Sequence, residues 1–329
     1  MKSTVEANDY FSQSLQTFLN KMRLDSSDQE VAKMALMKNY EEMTDYTYRL
    51  SLSSARFVEN ETSALVLPNT GGSTGIMALY WVYLAASETG KITIKVGEDR
   101  NFELFLSILD SPLIETYDNR AEFEQSGASR HSDLLVVYGS DRTCQMLSIG
   151  RDVLQRTVLY ASKTSIAVIH DAENLNYEAF ARDLFTYDGL GCLSPSVVYI
   201  NDAEAFVEKI KTYVPTKFDM NKISFNHQNE DKMRFPAVVR ELGVEPKISV
   251  GRGTLVVVEE TDHEKIDRDL EKYRGKVSCV VSDVEPGPMT QVLGATRYCA
   301  VGQAQMPPLS WKHDGTDSLF SLVDMIGVG

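Results

Sequence analysis

The stretch that decides the fold is "SIAVIHDAENLNYEAFARDLFTYDGLGCLSPSVVYI", residues 165–200. It opens and closes on short runs that are apolar throughout, as strands covered on both faces are. The helical pattern between them ends on Gly189, the residue type expected where a helix terminates in a left-handed turn. Strand, helix and strand in this order predict a parallel pair. Cys192 follows on a glycine turn at the mouth of the second strand, a setting that exposes a side chain.

The same alternation runs through most of the chain. Apolar strand candidates occur at 64–68, 91–96, 133–139, 157–161, 165–170, 196–200, 254–260 and 277–283. Helical patterns lie between them; one begins at a capping Asn201 or Asp202, and another has Thr261 and Glu264 in capping-box spacing. The sequence therefore predicts an α/β protein with parallel sheets, two of about four strands each.

The predicted domain boundary falls between Tyr160 and Lys163. It gives a nucleotide-binding domain at 1–162 and a catalytic domain with Cys192 at 163–329. The first fifty residues are expected to form one or two helices. The polar stretch 215–250 is expected to be a long surface excursion.

Composition restricts the partners. The net charge of −14 repels phosphate backbones and anionic lipid, so nucleic acid and membrane surfaces are poor partners. No run approaches the roughly 20 apolar residues of a membrane span, and the N-terminus has no apolar signal core, so we expect a cytoplasmic protein. The four cysteines lie far apart without a CxxC pair, which predicts reduced thiols and neither a disulfide frame nor a metal site.

Three strand ends carry candidate binding groups. Gly139-Ser140 leads from a strand into a helix, whose N-terminus can hold a diphosphate; the alternative is an ordinary serine cap. Lys95 and Glu98 follow another strand and could bind ribose hydroxyls or a phosphate, although such a pair is more often solvated. The glycines of "LPNTGGSTG" (67–75) predict an ordinary turn, from which Asn69 could aim its amide into a cleft.

Two side chains are candidates for chemistry. Cys192 is either a nucleophile or a buried core residue, whereas Cys144, Cys279 and Cys299 lie in patterns where a small buried residue is expected. His313 and Asp314 could serve acid–base work, but neighbours in sequence usually point apart.

Together, "VLPNTGGSTG", "ITIKVGED", "VVYGS", "DGLGCLSP" and the closing "SWKHDG" resemble, in this order, the LuxC-type acyl-CoA and acyl-protein reductases of the aldehyde dehydrogenase superfamily. The resemblance implies two Rossmann-like parallel-sheet domains. It implies Cys192 as the nucleophile that forms an acyl-enzyme, Asn69 as an oxyanion donor and His313 as a proton-handling or geometry-holding group.

The resemblance also implies a cofactor and partners. Lys95 and Glu98 would lie at the adenosine ribose, and Gly139 and Ser140 at the diphosphate. Lys95 suits NADP(H), and Glu98 suits NAD(H). The acyl donor would be acyl-CoA or an acyl-carrying protein such as an acyl-protein synthetase or transferase, and the chain would form a homo-oligomer.

Leu159 stands where aldehyde-oxidising relatives carry the glutamate that activates water. This departure favours reduction of an activated acyl group to an aldehyde over oxidation of an aldehyde to an acid. The same residues are also compatible with an acyl-transfer enzyme that has no redox step, or with a non-catalytic relative that binds an acyl-carrying partner.

Overall fold

The computed structural model of the chain divides into two compact units. It describes residues 4–22, 24, 26–45, 48, 60–67, 72–97, 100–152, 155–189, 191–213, 238–241, 255–284 and 294–315. Unit 1 comprises Met1–Ser162 and Pro308–Gly329, and unit 2 comprises Lys163–Pro307. The sequence analysis placed everything from 163 onward in the second domain, but the segment that begins at Pro308 lies with unit 1. There the Leu309 N–H donates to Glu42 Oε2 at 2.5 Å.

Unit 1 is built on a five-stranded parallel sheet in the order β3-β2-β1-β4-β5. Its strands are β1 (Asn60–Val66), β2 (Ala86–Lys95), β3 (Ile114–Tyr117), β4 (Leu134–Tyr138) and β5 (Arg156–Tyr160). The helices are α1 (Thr4–Lys21), α2 (Ser27–Thr44), α3 (Gly72–Leu84), α4 (Arg100–Leu109), α5 (Arg120–Gln125), α6 (Ala128–His131) and α7 (Asp141–Ser148). An aromatic core joins α1, α3 and α4: Phe11 contacts both Tyr80 and Phe105, with ring centroids 5.2 Å apart in each pair.

Unit 2 is built on a six-stranded parallel sheet in the order β11-β10-β6-β7-β9-β8. Its strands are β6 (Thr164–Ile169), β7 (Pro195–Ile200), β8 (Val238–Glu241), β9 (Leu255–Glu259), β10 (Val277–Ser282) and β11 (Arg297–Ala300). The helices are α8 (Tyr177–Phe185), α9 (Ala203–Ile210) and α10 (His263–Leu270). Val168, Tyr199 and Val280 on the central strands pack with Ile266 and Leu270 of α10 in one buried cluster.

The predicted parallel α/β architecture is confirmed, and all eight strand candidates are strands. The expected count of about four strands a sheet was too low. The three additional strands β3, β8 and β11 all lie at sheet edges. Edge strands face solvent on one side and do not form the continuous apolar runs that identify interior strands. β8 lies inside 215–250, which was predicted to be a surface excursion throughout.

The helix starts follow the predicted pattern with one correction. Asp202 caps α9 by accepting from the Ala205 N–H at 3.0 Å. For α10 the cap is Asp262, which accepts from the N–H groups of Glu264 and Lys265, so Thr261 is not the capping residue. An Asp cap contributes about 1 kcal/mol to helix stability. Of the helices that the structure describes, none is long and apolar enough to cross a membrane.

Candidate functional site

In unit 2, Cys192 lies on the short connection between α8 and β7. The helix gives way to a single 3₁₀ turn at Thr186–Gly189, and Gly189 has φ 66°, the left-handed conformation that glycine adopts without strain. A further turn follows, in which the Ser194 N–H donates to the Gly191 carbonyl at 2.9 Å. Cys192 is partly exposed, whereas Leu193 and Ser194 behind it are buried.

The two peptide groups that flank Cys192 are both held by hydrogen bonds. The bond from Ser194 to Gly191 fixes the peptide that carries the Cys192 N–H. The buried Ser165 hydroxyl donates to the Cys192 carbonyl at 2.5 Å and accepts from the Cys279 N–H at 3.1 Å. Because trans peptide groups are planar, these bonds set the directions of the Cys192 N–H and side chain.

A second layer of buried polar groups braces this turn. The Ser194 hydroxyl donates to the Thr186 carbonyl at 3.4 Å. The Gln305 amide nitrogen donates to Ser194 Oγ at 2.9 Å and to the Asp183 carbonyl at 3.1 Å. The turn is thereby tied to the segment after β11, more than one hundred residues away in sequence.

The Asp183 carboxyl completes this layer. It is buried on α8 and accepts from the Gly302 N–H at 2.5 Å and the Ala304 N–H at 2.9 Å. Burial raises the pKa of Asp183 to about 7, although the two N–H donors, Arg297 and Arg182 act in the opposite direction. The sequence analysis missed Asp183 and Gln305. The signal within the sequence was a carboxyl on the same helix face as Ala179 and Phe180.

In unit 1, Gly139 and Ser140 lie between β4 and α7. Ser140 is the N-cap of α7, and its hydroxyl accepts from the Thr143 N–H at 3.2 Å. A Cβ on Gly139 would lie 3.1 Å from Thr143 Cβ, a tight contact that Thr143 would have to relieve by moving a few tenths of an ångström. The serine-cap interpretation is therefore correct as local structure, and it leaves the other N–H groups of the first turn to point beyond the helix end.

Lys95 lies at the same end of the unit 1 sheet, where its strands have their carboxyl ends. It is the last residue of β2 and is half-buried, and in the parallel register it is level with Val66 on β1, which is itself level with Val137 on β4. Lys95, the Gly139-Ser140 turn and Tyr160 therefore lie at the same end of the sheet, at the carboxyl ends of β2, β4 and β5. Asn69 and Glu98 lie outside the described residues.

His313 belongs to a stack of aromatic rings in unit 1. The ring centroids of Tyr138 and Tyr160 are 4.3 Å apart, those of Tyr160 and His313 4.4 Å, and those of His313 and Trp311 4.5 Å. His313 is 9% exposed, and its Nε2 lies 3.8 Å from Asp314 Oδ2. The sequence analysis missed Tyr138 and Tyr160, although each lies one residue before the end of a predicted strand; in the structure they are the last residues of β4 and β5.

Leu159, which precedes Tyr160 on β5, is 39% exposed, an apolar side chain where the resemblance requires a glutamate in aldehyde-oxidising enzymes. Across the described ranges, no three His, Cys, Asp or Glu side chains are grouped so that they could hold a metal ion. The cysteine predictions need one correction, because Cys144 and Cys279 are buried but Cys299 is half-buried.

The chain is similar to known proteins at two levels. The family model of the acyl-CoA reductases (LuxC) matches residues 118–238, the segment that contains Gly139, Leu159 and Cys192. This match confirms the predicted resemblance. No curated protein sequence matches the chain.

Solved structures of aldehyde dehydrogenases share the fold. A putative aldehyde dehydrogenase from Burkholderia cenocepacia is 11% identical with TM-score 0.71, covering 98% of this chain and 86% of that one. An NADP-dependent glyceraldehyde-3-phosphate dehydrogenase from Bacillus halodurans, complexed with NADP, is 11% identical with TM-score 0.65 (98% and 85%). A methylmalonate-semialdehyde dehydrogenase from Oceanimonas doudoroffii is 9% identical with TM-score 0.67 (98% and 84%). The aldehyde-dehydrogenase-like fold class is confirmed.

Proposed function

We propose that the protein is an NAD(P)H-dependent oxidoreductase that reduces an activated acyl group, as acyl-CoA or an acyl-protein thioester, to an aldehyde. The observation that carries the proposal is Cys192: a partly exposed thiol on a turn whose flanking peptides are both hydrogen-bonded. It lies within the segment that the acyl-CoA reductase model matches. Such a fixed, accessible thiol suits nucleophilic attack on a thioester.

The first step is acyl transfer to Cys192. The sulfur attacks the acyl carbon, the bond to the carrier sulfur breaks, and the carrier thiol leaves with a proton. Negative charge develops on the acyl oxygen during attack. The Cys192 N–H, held by the bond between Ser194 and Gly191, is one donor for that charge, and Asn69 is proposed as the second. Each donor of this kind lowers the barrier by about 3–4 kcal/mol.

In this proposal, unit 1 binds the nicotinamide cofactor. The observed groups fit an anionic dinucleotide, because the helix start after Gly139-Ser140 offers N–H donors and Lys95 supplies a cation at the same end of the sheet. Glu98 is proposed to bind the ribose in the NAD(H) case and Lys95 a 2′-phosphate in the NADP(H) case. When bound, the reduced nicotinamide supplies the hydride that takes the acyl carbon to the aldehyde level.

Leu159 and His313 have supporting roles in the proposal. An apolar side chain at position 159 cannot take a proton from water, so the acyl-enzyme persists until hydride arrives. His313 is stacked between Tyr160 and Trp311 and is mostly buried. This packing supports the geometry-holding role for His313 over proton transfer.

The test is consumption of NAD(P)H with an acyl-CoA series, followed by nicotinamide absorbance and aldehyde trapping. The wild type and the Cys144→Ser control, which alters a buried thiol of unit 1, are expected to turn over, and Cys192→Ser is expected to lose turnover. Acyl transfer to an added thiol without loss of NAD(P)H would instead identify an acyltransferase. Binding of an acyl partner that Cys192→Ser leaves intact, with no turnover in the wild type, would identify a non-catalytic binder.

A further inference from the structure

Unit 2 brings two cysteines together that lie twenty residues apart in sequence. Cys279 is on β10 and fully buried, and Cys299 is on the neighbouring edge strand β11 and half-buried. Their Sγ atoms are 3.5 Å apart. A disulfide has an S–S length of about 2.05 Å, so the two sulfur atoms need to approach by only about 1.5 Å.

The strand register explains this approach. Cys279 lies opposite Arg297, and Cys299 lies opposite Val281, so the two cysteines are diagonal neighbours on one face of the sheet. β11 has four residues, and within the described part of the chain it pairs only with β10, at the edge of the sheet. A short strand held on one side can shift more easily than an interior strand.

The two thiols have different environments. The hydrogen bond between the sulfur atoms and the burial of the side chain both raise the pKa of Cys279. Cys279 therefore keeps its proton, and either sulfur atom can be the donor in the contact with Cys299. Cys299 is the less buried residue of the pair, so we take its sulfur atom as the one that an oxidant in solution reaches first.

We propose that Cys279 and Cys299 form a redox modification site that hydrogen peroxide converts to an intramolecular disulfide. The Cys299 sulfur attacks one peroxide oxygen, the O–O bond breaks, and one water leaves with the proton of Cys299. The Cys279 sulfur then attacks the sulfenic sulfur of Cys299, the S–O bond breaks, and the hydroxide leaves as a second water with the proton of Cys279. The two thiols lose two electrons and the peroxide is reduced to two waters.

The site is connected to the Cys192 turn by two hydrogen bonds. The Cys279 N–H donates to Ser165 Oγ, and the Ser165 hydroxyl donates to the Cys192 carbonyl. Although β11 moves more easily, the new bond also pulls on Cys279 and thereby moves the donor that orients Ser165. Formation of the disulfide therefore loosens the turn that carries Cys192, a structural effect that does not depend on the proposed reductase activity.

The first experiment maps the bond in the full chain. The reduced protein is treated with hydrogen peroxide, denatured, alkylated and digested with trypsin without reductant. Cleavage after Lys276, Arg297 and Lys312 puts the two cysteines on the peptides 277–297 and 298–312. The expected product is these peptides joined with the loss of two hydrogens, so that the thiols of Cys279 and Cys299 both become unreactive to alkylation until a reductant is added.

The control variants separate this bond from other oxidation. Cys144→Ser is expected to keep the linked peptides, and Cys299→Ser is expected to lose them. The proposed site is overturned if the peptides 277–297 and 298–312 are recovered separately, each alkylated at its cysteine, at a peroxide dose that fully oxidises Cys192. A disulfide from Cys279 to Cys144 or Cys192 overturns it as well. The wild-type map decides the question even if a cysteine variant does not fold.

The second experiment tests the connection to the turn. In Cys192→Ser, which removes competing oxidation at that position, hydrogen exchange is followed on a peptic peptide that covers the turn at residues 191–194. The oxidised form is expected to exchange faster in this peptide than the reduced form, and added reductant is expected to reverse the change. Equal exchange in the two forms overturns the connection.

Discussion

Ser165→Ala is the sharpest single perturbation of the Cys192 turn. Ser165 is fully buried on β6. The pairing of β10 with β6 is irregular between Val277 and Cys279, and there the Ser165 hydroxyl, instead of a backbone carbonyl, accepts the hydrogen bond from the Cys279 N–H. This hydroxyl accepts from the Cys279 N–H at 3.1 Å and donates to the Cys192 carbonyl at 2.5 Å. Alanine fits the space but removes both hydrogen bonds.

The expected magnitude follows from the N–H that is left behind. A buried donor without a partner costs about 1–3 kcal/mol, and a local loss of about 2 kcal/mol corresponds to a rate ratio of about 30. The Cys279 amide is therefore expected to exchange about 30-fold faster in Ser165→Ala, because local opening becomes cheaper by that free energy. The measurement is hydrogen exchange resolved to the Cys279 amide by fragmentation of the peptide 277–297.

The matched control is Ser196→Ala on the neighbouring strand β7. The Ser196 hydroxyl pairs with Thr164 Oγ1 at 2.6 Å and with the Ser165 carbonyl at 3.4 Å, but it reaches neither Cys192 nor Cys279. This control is expected to keep Cys279 exchange within about a factor of two of the wild type. Unchanged exchange in Ser165→Ala, or an equal increase in both variants, would refute the assigned role of Ser165.

Three further predictions concern both units. Because burial raises the pKa of Asp183 to about 7, the stabilisation from its bound proton is complete below about pH 4 and is lost as the pH rises through 7. Urea unfolding of the wild type and of Asp183→Asn should therefore show the relative stability of the wild type falling by up to about 4 kcal/mol over that range. A difference in stability that stays constant with pH contradicts the assignment. Gly302→Ala places a Cβ 2.8 Å from Ala179 Cβ at φ 83°, whereas the Cβ of Gly150→Ala, at φ 80°, meets nothing within 4 Å. We expect thermal unfolding to show that Gly302→Ala is destabilised by about 1–3 kcal/mol more than Gly150→Ala. Equal losses of stability would contradict the clash. Cys192→Ser should abolish acyl adduct formation while Cys299→Ser retains it under reducing conditions, as intact-mass measurement will show; an adduct on Cys192→Ser contradicts the proposed nucleophile.

The interior of the fold could be predicted from the sequence because buried parallel strands form continuous apolar runs. The same physics explains the failures at the edges, since "IETY" of β3 and "RYCA" of β11 alternate or mix polar and apolar residues. The capping signals predicted where α9 and α10 begin to within a residue. The error at Thr261 arose because Asp262, one position later, offers the better-placed oxygen.

The candidate site could be predicted only in part, because its contacts join segments that are distant in sequence. The glycine turn gave Cys192 as a candidate from local sequence alone. Nothing local indicates that Asp183 binds the N–H groups of Gly302 and Ala304, or that Gln305 reaches Ser194. Likewise, the approach of Cys279 to Cys299 depends on the pairing of two strands, which a spacing of twenty residues does not reveal.

The central claim is that the Cys192 sulfur carries the acyl group. The most direct measurement incubates the full chain with acyl-CoA in the absence of nicotinamide and locates any added mass after tryptic digestion. The account predicts one acyl group on the peptide 183–209, at Cys192, released by a thiol or hydroxylamine as thioesters are. An acyl group found on a peptide that contains Cys144, Cys279 or Cys299 instead, or no adduct while aldehyde still forms with NAD(P)H, would contradict it.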